Sequence, residues 1–204
     1  MQYDALEILF NSLGRSLFRD KERVTIDLLG SAALVLGYKC WPNANDVDAR
    51  WSQDDSFILG PLIAEIGEQK NHSKGSRWMN SDISDIVYAE GTWARNIDYG
   101  YLRVRIPTAG FMMSILVQAL YTCQPGDTQY PPFGKTAAQC KALANTQGWE
   151  KDDIVREVTP FLPKGIPPTC DEWLNRIFSS GAGPSNRPEM LELQENYDSL
   201  ITKG

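Results

Sequence analysis

The sequence predicts an α+β fold, with a mixed β-sheet core, flanking helices and a helical C-terminal part. Short segments that are rich in β-branched residues, or that alternate apolar and polar side chains, occur between residues 24 and 106. Apolar residues at the three-and-four spacing of a helix open the chain and dominate it after Pro107. Strands mixed with helices, followed by helices alone, are typical of this class. We therefore expect a sheet-containing core over residues 1–107 and a helical part over 108–204.

The predicted core begins with an amphipathic helix over residues 3–18, in which apolar side chains recur every three or four positions. Residues 24–29 are apolar and β-branched and end at a glycine, so they are predicted to form a buried strand. A short helix is expected over residues 32–36. Residues 46–51 alternate polar and apolar side chains, which is typical of a half-buried strand.

A second long helix is predicted to begin at Ser52, because a serine three residues before an acidic side chain is the pattern of a helix N-cap. Its apolar residues continue to Ile66, with Pro61 near the middle. Residues 67–77 are polar with a glycine near each end, which predicts a loop.

The remainder of the chain changes from strands to helices. Two strands are predicted over residues 83–89 and 101–106, the second from its strict alternation of apolar and polar side chains. Helices are then predicted over residues 109–121, 135–147, 151–162, 170–179 and 188–201.

Composition excludes several functions. The 204 residues carry a net charge of −6, and neither half is basic, so no DNA partner is predicted. No apolar window is long enough for a membrane span. The chain opens without a signal-peptide pattern, and its four cysteines form no CxxC pair. We therefore expect reduced thiols and a cytoplasmic location.

The single histidine, His72, excludes sites that need several imidazoles as metal ligands or bases. Any catalysis must then depend on carboxylates. His72 itself lies in the polar loop, where it is predicted to be exposed and without a role.

One pattern carries chemistry: Gly30-Ser31, fourteen intervening residues, then Asp46-Val47-Asp48. Strand alternation places the two carboxylates on one face, about 7 Å apart along the backbone, where they can share a hard cation such as Mg²⁺. A glycine lets the backbone approach phosphates closely, and the serine hydroxyl adds a donor. The alternative interpretation is a plain strand-to-helix turn capped by Ser31, beside a solvated strand end.

These residues resemble the hG[GS]…Dh[DE]h pattern of the polymerase β-like nucleotidyltransferase superfamily. The stretch LLGSAALVLGYKCWPNANDVDARW is similar to one branch, the abortive-infection (AbiEii-like) toxins and their uncharacterised bacterial relatives. Residues 77–80 resemble the Trp-Leu-Asn segment of those relatives, and residues 102–107 with the following helix resemble their strand, turn and "lamK" helix. The resemblance covers roughly residues 24–120.

The resemblance implies transfer of a nucleoside monophosphate from an NTP, with Mg²⁺, to an RNA or protein acceptor. It also implies a toxin or phage-defence setting, which would allow an antitoxin partner. Asp46 and Asp48 would ligate the metal and act in catalysis, while Gly30 and Ser31 would bind the nucleotide.

The chain departs from this family at its third carboxylate, which is expected on a later strand. That strand presents Arg103 and Arg105 instead, which would bind the nucleotide if their face points into the cleft. Asp98 is the first substitute for the third carboxylate and Glu90 the second. The "lamK" helix contains no lysine, and Ala44 stands where a threonine is usual.

These departures leave alternatives open. The chain is an enzyme, a catalytically degenerate fold acting as a binding or regulatory module, or an unrelated α+β protein in which the pattern is accidental. Lys70, Lys74 and Arg77 would contact a triphosphate or an RNA acceptor, or would simply form a solvated face. Trp78 and Asn80 are predicted to be structural, the first filling the core and the second satisfying a turn.

Overall fold

A computed structural model describes residues 1–70, 72–81, 92–121, 131–162 and 164–179. It confirms the α+β class: within these residues five strands form one mixed sheet among helices. The chain forms two compact units, the first ending at Met112 and the second beginning at Met113. None of the described helices is both long and apolar enough to cross a membrane.

The first unit opens with helix α1 (Tyr3–Asp20). Its leucines and Phe10 are buried as the periodicity predicts, whereas Phe18 is exposed. Strand β1 (Val24–Leu29) follows. The short helix α2 (Gly30–Ala33) begins immediately at its end and continues as a π-helical turn, Leu34–Tyr38. Strand β2 (Val47–Arg50) then returns beside β1.

Helix α3 (Gln53–Gln69) is capped as predicted: the Ser52 side chain accepts a hydrogen bond from the Asp55 backbone N–H at 3.1 Å. The helix continues through Pro61. A 3₁₀ turn, Gly75–Arg77, and the two-residue strand β3 (Met79–Asn80) follow.

Two longer strands and four helices complete the described structure. Strands β4 (Trp93–Tyr99) and β5 (Leu102–Pro107) form an antiparallel pair, and helix α4 (Ala109–Tyr121) starts directly after β5. Three more helices follow: α5 (Pro131–Gln147), α6 (Lys151–Val158), which a 3₁₀ turn (Thr159–Phe161) extends, and α7 (Pro168–Ser179).

The sheet order is β3-β2-β1-β5-β4. Strand β1 is central, antiparallel to β2 and parallel to β5. The outer pairs are β2 with β3, which is parallel, and β5 with β4, which is antiparallel. Strands from distant parts of the chain therefore place their side chains side by side on the two faces of this sheet.

One face of the sheet is apolar and packs beneath α1. Its central row includes Ile26, Leu28 and Val104, each fully buried. Phe10 of α1 contacts the Tyr99 ring of β4 at 5.6 Å, and the Tyr99 hydroxyl donates to Glu7 at 2.9 Å. Burial of this face accounts for the core of the first unit.

The second unit buries the inward faces of its helices, with Leu143, Ile154 and Leu174 fully enclosed. Cys140 and Cys170 are buried free thiols, as predicted, and burial raises the pKa of Cys140 to about 12. The Cys140 thiol therefore remains protonated near neutral pH and contributes to packing.

Sequence patterns did not identify two strands. Strand β3 is only two residues long, and β4 exposes most of its side chains, so neither shows a clear apolar alternation. The predicted strand over 83–89 and the predicted helix over 188–201 lie outside the described residues. The strand predicted over 101–106 is confirmed, displaced by one residue.

Candidate functional site

The second face of the sheet is polar. Asp48 of β2 pairs with Leu29 of β1, and Asp27, two residues earlier on β1, pairs with both Arg50 and Arg105. Because paired residues lie on the same face, the strand register collects one row of polar side chains. Its members, from β3 to β4, are Asn80, Asp48, Arg50, Thr25, Asp27, Arg103, Arg105, Asn96 and Asp98.

Gly30 and Asp48 meet at one end of this face. Gly30 has a positive φ of +60°, a conformation that L side chains rarely adopt. A Cβ at this position would overlap the Asp48 carboxylate, so any other residue would have to displace that side chain. The predicted proximity of the Gly-Ser turn and the second aspartate is therefore present, with Asp48 Oδ2 beside the Gly30 backbone.

Asn80 joins the site from β3. Its side-chain amide donates to Asp48 Oδ1 at 3.3 Å. The sequence interpretation of Asn80 as a turn residue is wrong, because the parallel pairing of β3 with β2 places it directly beside Asp48. Trp78 fills the core as predicted: it is fully buried and donates from its indole to the Ile63 carbonyl at 2.8 Å.

Asp46 precedes β2 and is held by a lysine of the loop that follows α3. Lys74 Nζ lies 2.7 Å from Asp46 Oδ2, and both side chains remain partly exposed. The two residues border a cleft of about 660 Å³ that is also lined by Ser76, Arg77, Met79 and Asn80. This volume lies within the range of about 300–1,000 Å³ that is typical of small-molecule sites.

The loop that carries Lys74 is anchored through its backbone. His72 donates from its backbone N–H to the Gly67 carbonyl at 2.9 Å, and His72 Nδ1 accepts from the Lys74 N–H at 3.1 Å. Gly67 has no room for a Cβ because the Gly75 carbonyl lies against it. The prediction that His72 has no role is therefore wrong: it fixes the backbone beside the cleft.

The imidazole must be unprotonated at Nδ1 to accept this hydrogen bond. Partial burial first, and the neighbouring Lys74 ammonium to a smaller extent, lower the pKa of His72 below its ordinary value of 6.5. The neutral form therefore predominates at physiological pH, and the loop keeps its anchor.

Asp27 and Arg105 form a second cluster on the polar face. Arg105 donates to both Asp27 oxygens, with Nη2 at 2.8 Å from Oδ2, and its guanidinium lies 4.5 Å from the centre of the Trp93 ring. Asp27 is only 7% exposed. Arg105 therefore lies on the polar face of the sheet, but its guanidinium already contacts the Asp27 carboxylate and the Trp93 ring.

Asp98 does not join the aspartates of the site. It lies on β4, three strands from β2, which corresponds to at least about 14 Å. Its carboxylate is 2.8 Å from Arg103 Nε, and both side chains are more than half exposed. Asp98 is thus too far away to share a metal ion with Asp48, and Arg103, on β5 two strands from β2, is engaged by Asp98. Glu90 lies outside the described residues.

The donor atoms near Gly30 suit a magnesium ion. Mg²⁺ prefers oxygen ligands, and commonly takes one or two carboxylates together with water and substrate phosphates. Asp48 provides one carboxylate beside the Gly30 turn, and Asp46, which precedes strand β2, provides a second one beside Lys74. Among the residues that the structure describes, no group of three or more His, Cys, Asp or Glu side chains is placed to hold a metal.

Comparisons with protein-family models, with curated proteins and with solved structures find no match to this chain. The functional assignment therefore depends on the residues and the geometry described above.

Two residues of the site escaped the sequence analysis. Asp27 is the one acidic residue in the segment VTIDLL. An acidic residue in an apolar strand indicates a buried carboxylate that needs a partner. For Asn80 the available signal was the resemblance of residues 77–80 to the Trp-Leu-Asn segment, since a two-residue strand has no alternation that predicts it.

Proposed function

We propose that the chain is a nucleotidyltransferase of toxin or phage-defence type, which transfers a nucleoside monophosphate from an NTP to an RNA or protein hydroxyl. The contact between Gly30 and Asp48 is the observation that carries the proposal. A positive-φ glycine placed directly against a partly exposed carboxylate favours a ligand site over an ordinary turn.

In the proposed reaction the acceptor hydroxyl oxygen forms a bond to the α-phosphorus of the NTP. The bond from that phosphorus to the bridging oxygen breaks, and pyrophosphate leaves with the electron pair. The hydroxyl proton passes to solvent water. Mg²⁺, when bound, neutralises charge on the phosphate oxygens.

The chain's own residues bind and orient the reactants. Asp46 and Asp48 hold the metal-bound triphosphate, while the Gly30 backbone and the Ser31 side chain approach the phosphates. The apolar layer beneath β1 keeps this face rigid, which matters because positioning contributes much of the rate enhancement in phosphoryl-transfer reactions.

The test uses Asp46→Asn and Asp48→Asn, with Asp152→Asn as a matched control on the exposed face of α6 in the second unit. We expect each site variant to lower NTP-dependent labelling of RNA or protein in cell extract by at least about 10²-fold, while the control keeps full labelling. Equal labelling by the wild type and the double variant would contradict the assignment.

A second function is favoured by the Asp27–Arg105 pair. Asp27 is a diagonal neighbour of Asp48, about 7–8 Å away, and both of its oxygens accept from Arg105. A carboxylate engaged in this way is not available as a general base, and such a base typically contributes about 10²–10⁴-fold. This supports a catalytically degenerate module that binds a nucleotide or a partner, such as an antitoxin.

Thermal melts separate ligand binding from catalysis. A ligand at a hundredfold excess over its Kd stabilises the native state by about 2.7 kcal/mol. Stabilisation by Mg²⁺-NTP without any labelling of an acceptor would favour the binding module. A melt unchanged by all four NTPs would remove both nucleotide proposals. We place either function in the cytoplasm, where the cysteine spacing of the chain, without a CxxC pair, predicts reduced thiols.

A further inference from the structure

We infer that Lys74 is a phosphate-binding residue with two positions. Without ligand it neutralises Asp46, and when a metal-bound triphosphate enters, its ammonium moves to the β- and γ-phosphates. The inference rests on the proposed function, because it takes Asp46 as a metal ligand. It assigns the cleft beside Asp46 to the terminal phosphates of the nucleotide.

The Lys74 ammonium and a bound divalent ion would compete for the Asp46 carboxylate. The Lys74 ammonium lies 2.7 Å from Asp46 Oδ2, within direct hydrogen-bonding distance. A divalent ion that binds this carboxylate would meet the ammonium at short range, and two cations repel each other strongly there. Binding of the ion to this carboxylate therefore weakens its ion pair with Lys74 and favours release of the ammonium.

The Lys74 side chain can move away from Asp46 at little cost. The Lys74 backbone is held by His72, while its side chain is 42% exposed. A lysine has a flexible four-carbon stem and three donors, so its ammonium can move several ångströms without any change in the loop. An exposed ion pair contributes little stability, which keeps the cost of breaking it small.

The charged side chains that line the cleft favour an anionic ligand. Among the described residues that line it, Lys74 and Arg77 supply two cations against the carboxylate of Asp46, and Ser76 and Asn80 add polar side chains. This described part of the lining is net positive on a chain whose net charge is −6. Such a local patch attracts a compact polyanion more effectively than the surface around it.

A triphosphate fits these features better than RNA does. Two cations in one cleft match the charge of the two terminal phosphates. An RNA strand would need cations spaced along its backbone. The cleft also adjoins Asn80, which contacts Asp48, so a nucleotide whose α-phosphate lies near Gly30 can extend its remaining phosphates towards Lys74.

The experiment compares the full chain with Lys74→Met, and uses Lys164→Met, an exposed position in the second unit, as the matched control. Binding of Mn²⁺ alone is followed by electron paramagnetic resonance, and binding of Mg²⁺-ATP, AMP and a short oligoribonucleotide by calorimetry. Circular dichroism melts of each variant establish that it is folded.

The expected results move in opposite directions. Lys74→Met raises the affinity for Mn²⁺ by about 2- to 5-fold, because an exposed competitor has been removed. It lowers the affinity for Mg²⁺-ATP by about 10- to 100-fold, which is typical of losing a charged hydrogen-bond partner. The affinity for AMP, which lacks the terminal phosphates, stays within twofold. Lys74→Arg keeps most of the affinity for Mg²⁺-ATP.

Several results would overturn the inference. An unchanged affinity for Mn²⁺ would show that Lys74 does not compete for the metal position. Equal losses for ATP and AMP would indicate a purely structural residue, and a loss confined to the oligoribonucleotide would assign the cleft to RNA. A wild type that binds neither Mn²⁺ nor Mg²⁺-ATP would instead refute the proposed function, and this inference with it.

Discussion

The two faces of the central sheet are stabilised in different ways, although neighbouring residues of the same strand point to opposite faces. On β1, Ile26 points into the apolar layer beneath α1, and Asp27, the next residue, points onto the polar face. Ile26 is held by contacts that any aliphatic neighbour can supply. Asp27 is held by one particular arginine from a strand 78 residues away in sequence.

The comparison separates what maintains the fold from what forms the site. The apolar face gains free energy in proportion to the area that it buries, so its residues can be exchanged for others of similar size. The polar face depends on pairwise contacts at fixed positions, and removing one partner leaves the other with an unsatisfied hydrogen-bonding group. Substitutions on the two faces should therefore differ in kind as well as in size.

The largest effect is expected on the apolar face. Ile26→Ala removes a fully buried side chain and should lower the free energy of unfolding by about 2–5 kcal/mol. Urea denaturation measures this change. Ile26→Val is the graded control, at about 0.5–1.5 kcal/mol. Mg²⁺-NTP binding per folded molecule should stay unchanged in both variants, and a lost affinity would show that the two faces are not separable.

Asp27→Asn should be the next largest, because it removes a charged partner of Arg105 on the polar face. We expect a loss of about 1–3 kcal/mol in the free energy of unfolding. A double-mutant cycle with Arg105→Gln should be clearly non-additive, since both changes break the same pair. Additive losses would mean that each residue is stabilised by other neighbours.

Gly30→Ala tests the point where β1 meets the candidate site. The left-handed backbone should cost about 1–2 kcal/mol, and the added methyl should displace the Asp48 carboxylate and abolish Mg²⁺-NTP binding. Gly134→Ala is the matched control. Gly134 lies inside α5 with no neighbouring side chain or backbone within 4 Å of an added Cβ, so the alanine should stabilise the chain by about 0.5–1 kcal/mol. Calorimetric melts and titrations report both quantities.

The smallest effect concerns pH. The folded-state pKa of His72 is lowered from 6.5, so the folded chain binds fewer protons than the unfolded chain as the pH falls through this value. Its contribution to stability is therefore complete above pH 6.5 and is lost as the pH falls towards the folded-state pKa.

Proton NMR can follow this titration directly, because His72 is the only imidazole in the chain. We expect a midpoint below 6.5. His72→Asn, which keeps an acceptor but does not titrate, should remove this part of the pH dependence of the melting temperature. A midpoint above 6.5 would contradict the anchoring role.

The sequence predicted the local parts of this architecture. Helix α1, strand β1, the Ser52 cap and the contact of Gly30 with Asp48 follow from periodicity, capping chemistry and short-range spacing. Each depends on residues that are close along the chain, where propensity and pattern carry the information.

The remaining contacts depend on how distant strands align. The Asp27–Arg105 pair requires the parallel register of β1 and β5, and the position of Asp98 requires the place of β4 in the strand order. Neither property can be read from alternation within a single strand. A carboxylate in an apolar strand could still have been recognised as needing a partner.

The Asp27–Arg105 pair has a further consequence for how the chain folds. A slip of one residue between β1 and β5 would turn Arg105 towards the apolar layer and leave Asp27 without its partner. Aliphatic contacts alone would tolerate a slip of two residues, which keeps the apolar side chains on the same face but leaves Asp27 without Arg105. The ion pair penalises every misalignment, so a contact that adds modestly to stability also selects the one correct pairing from its competitors.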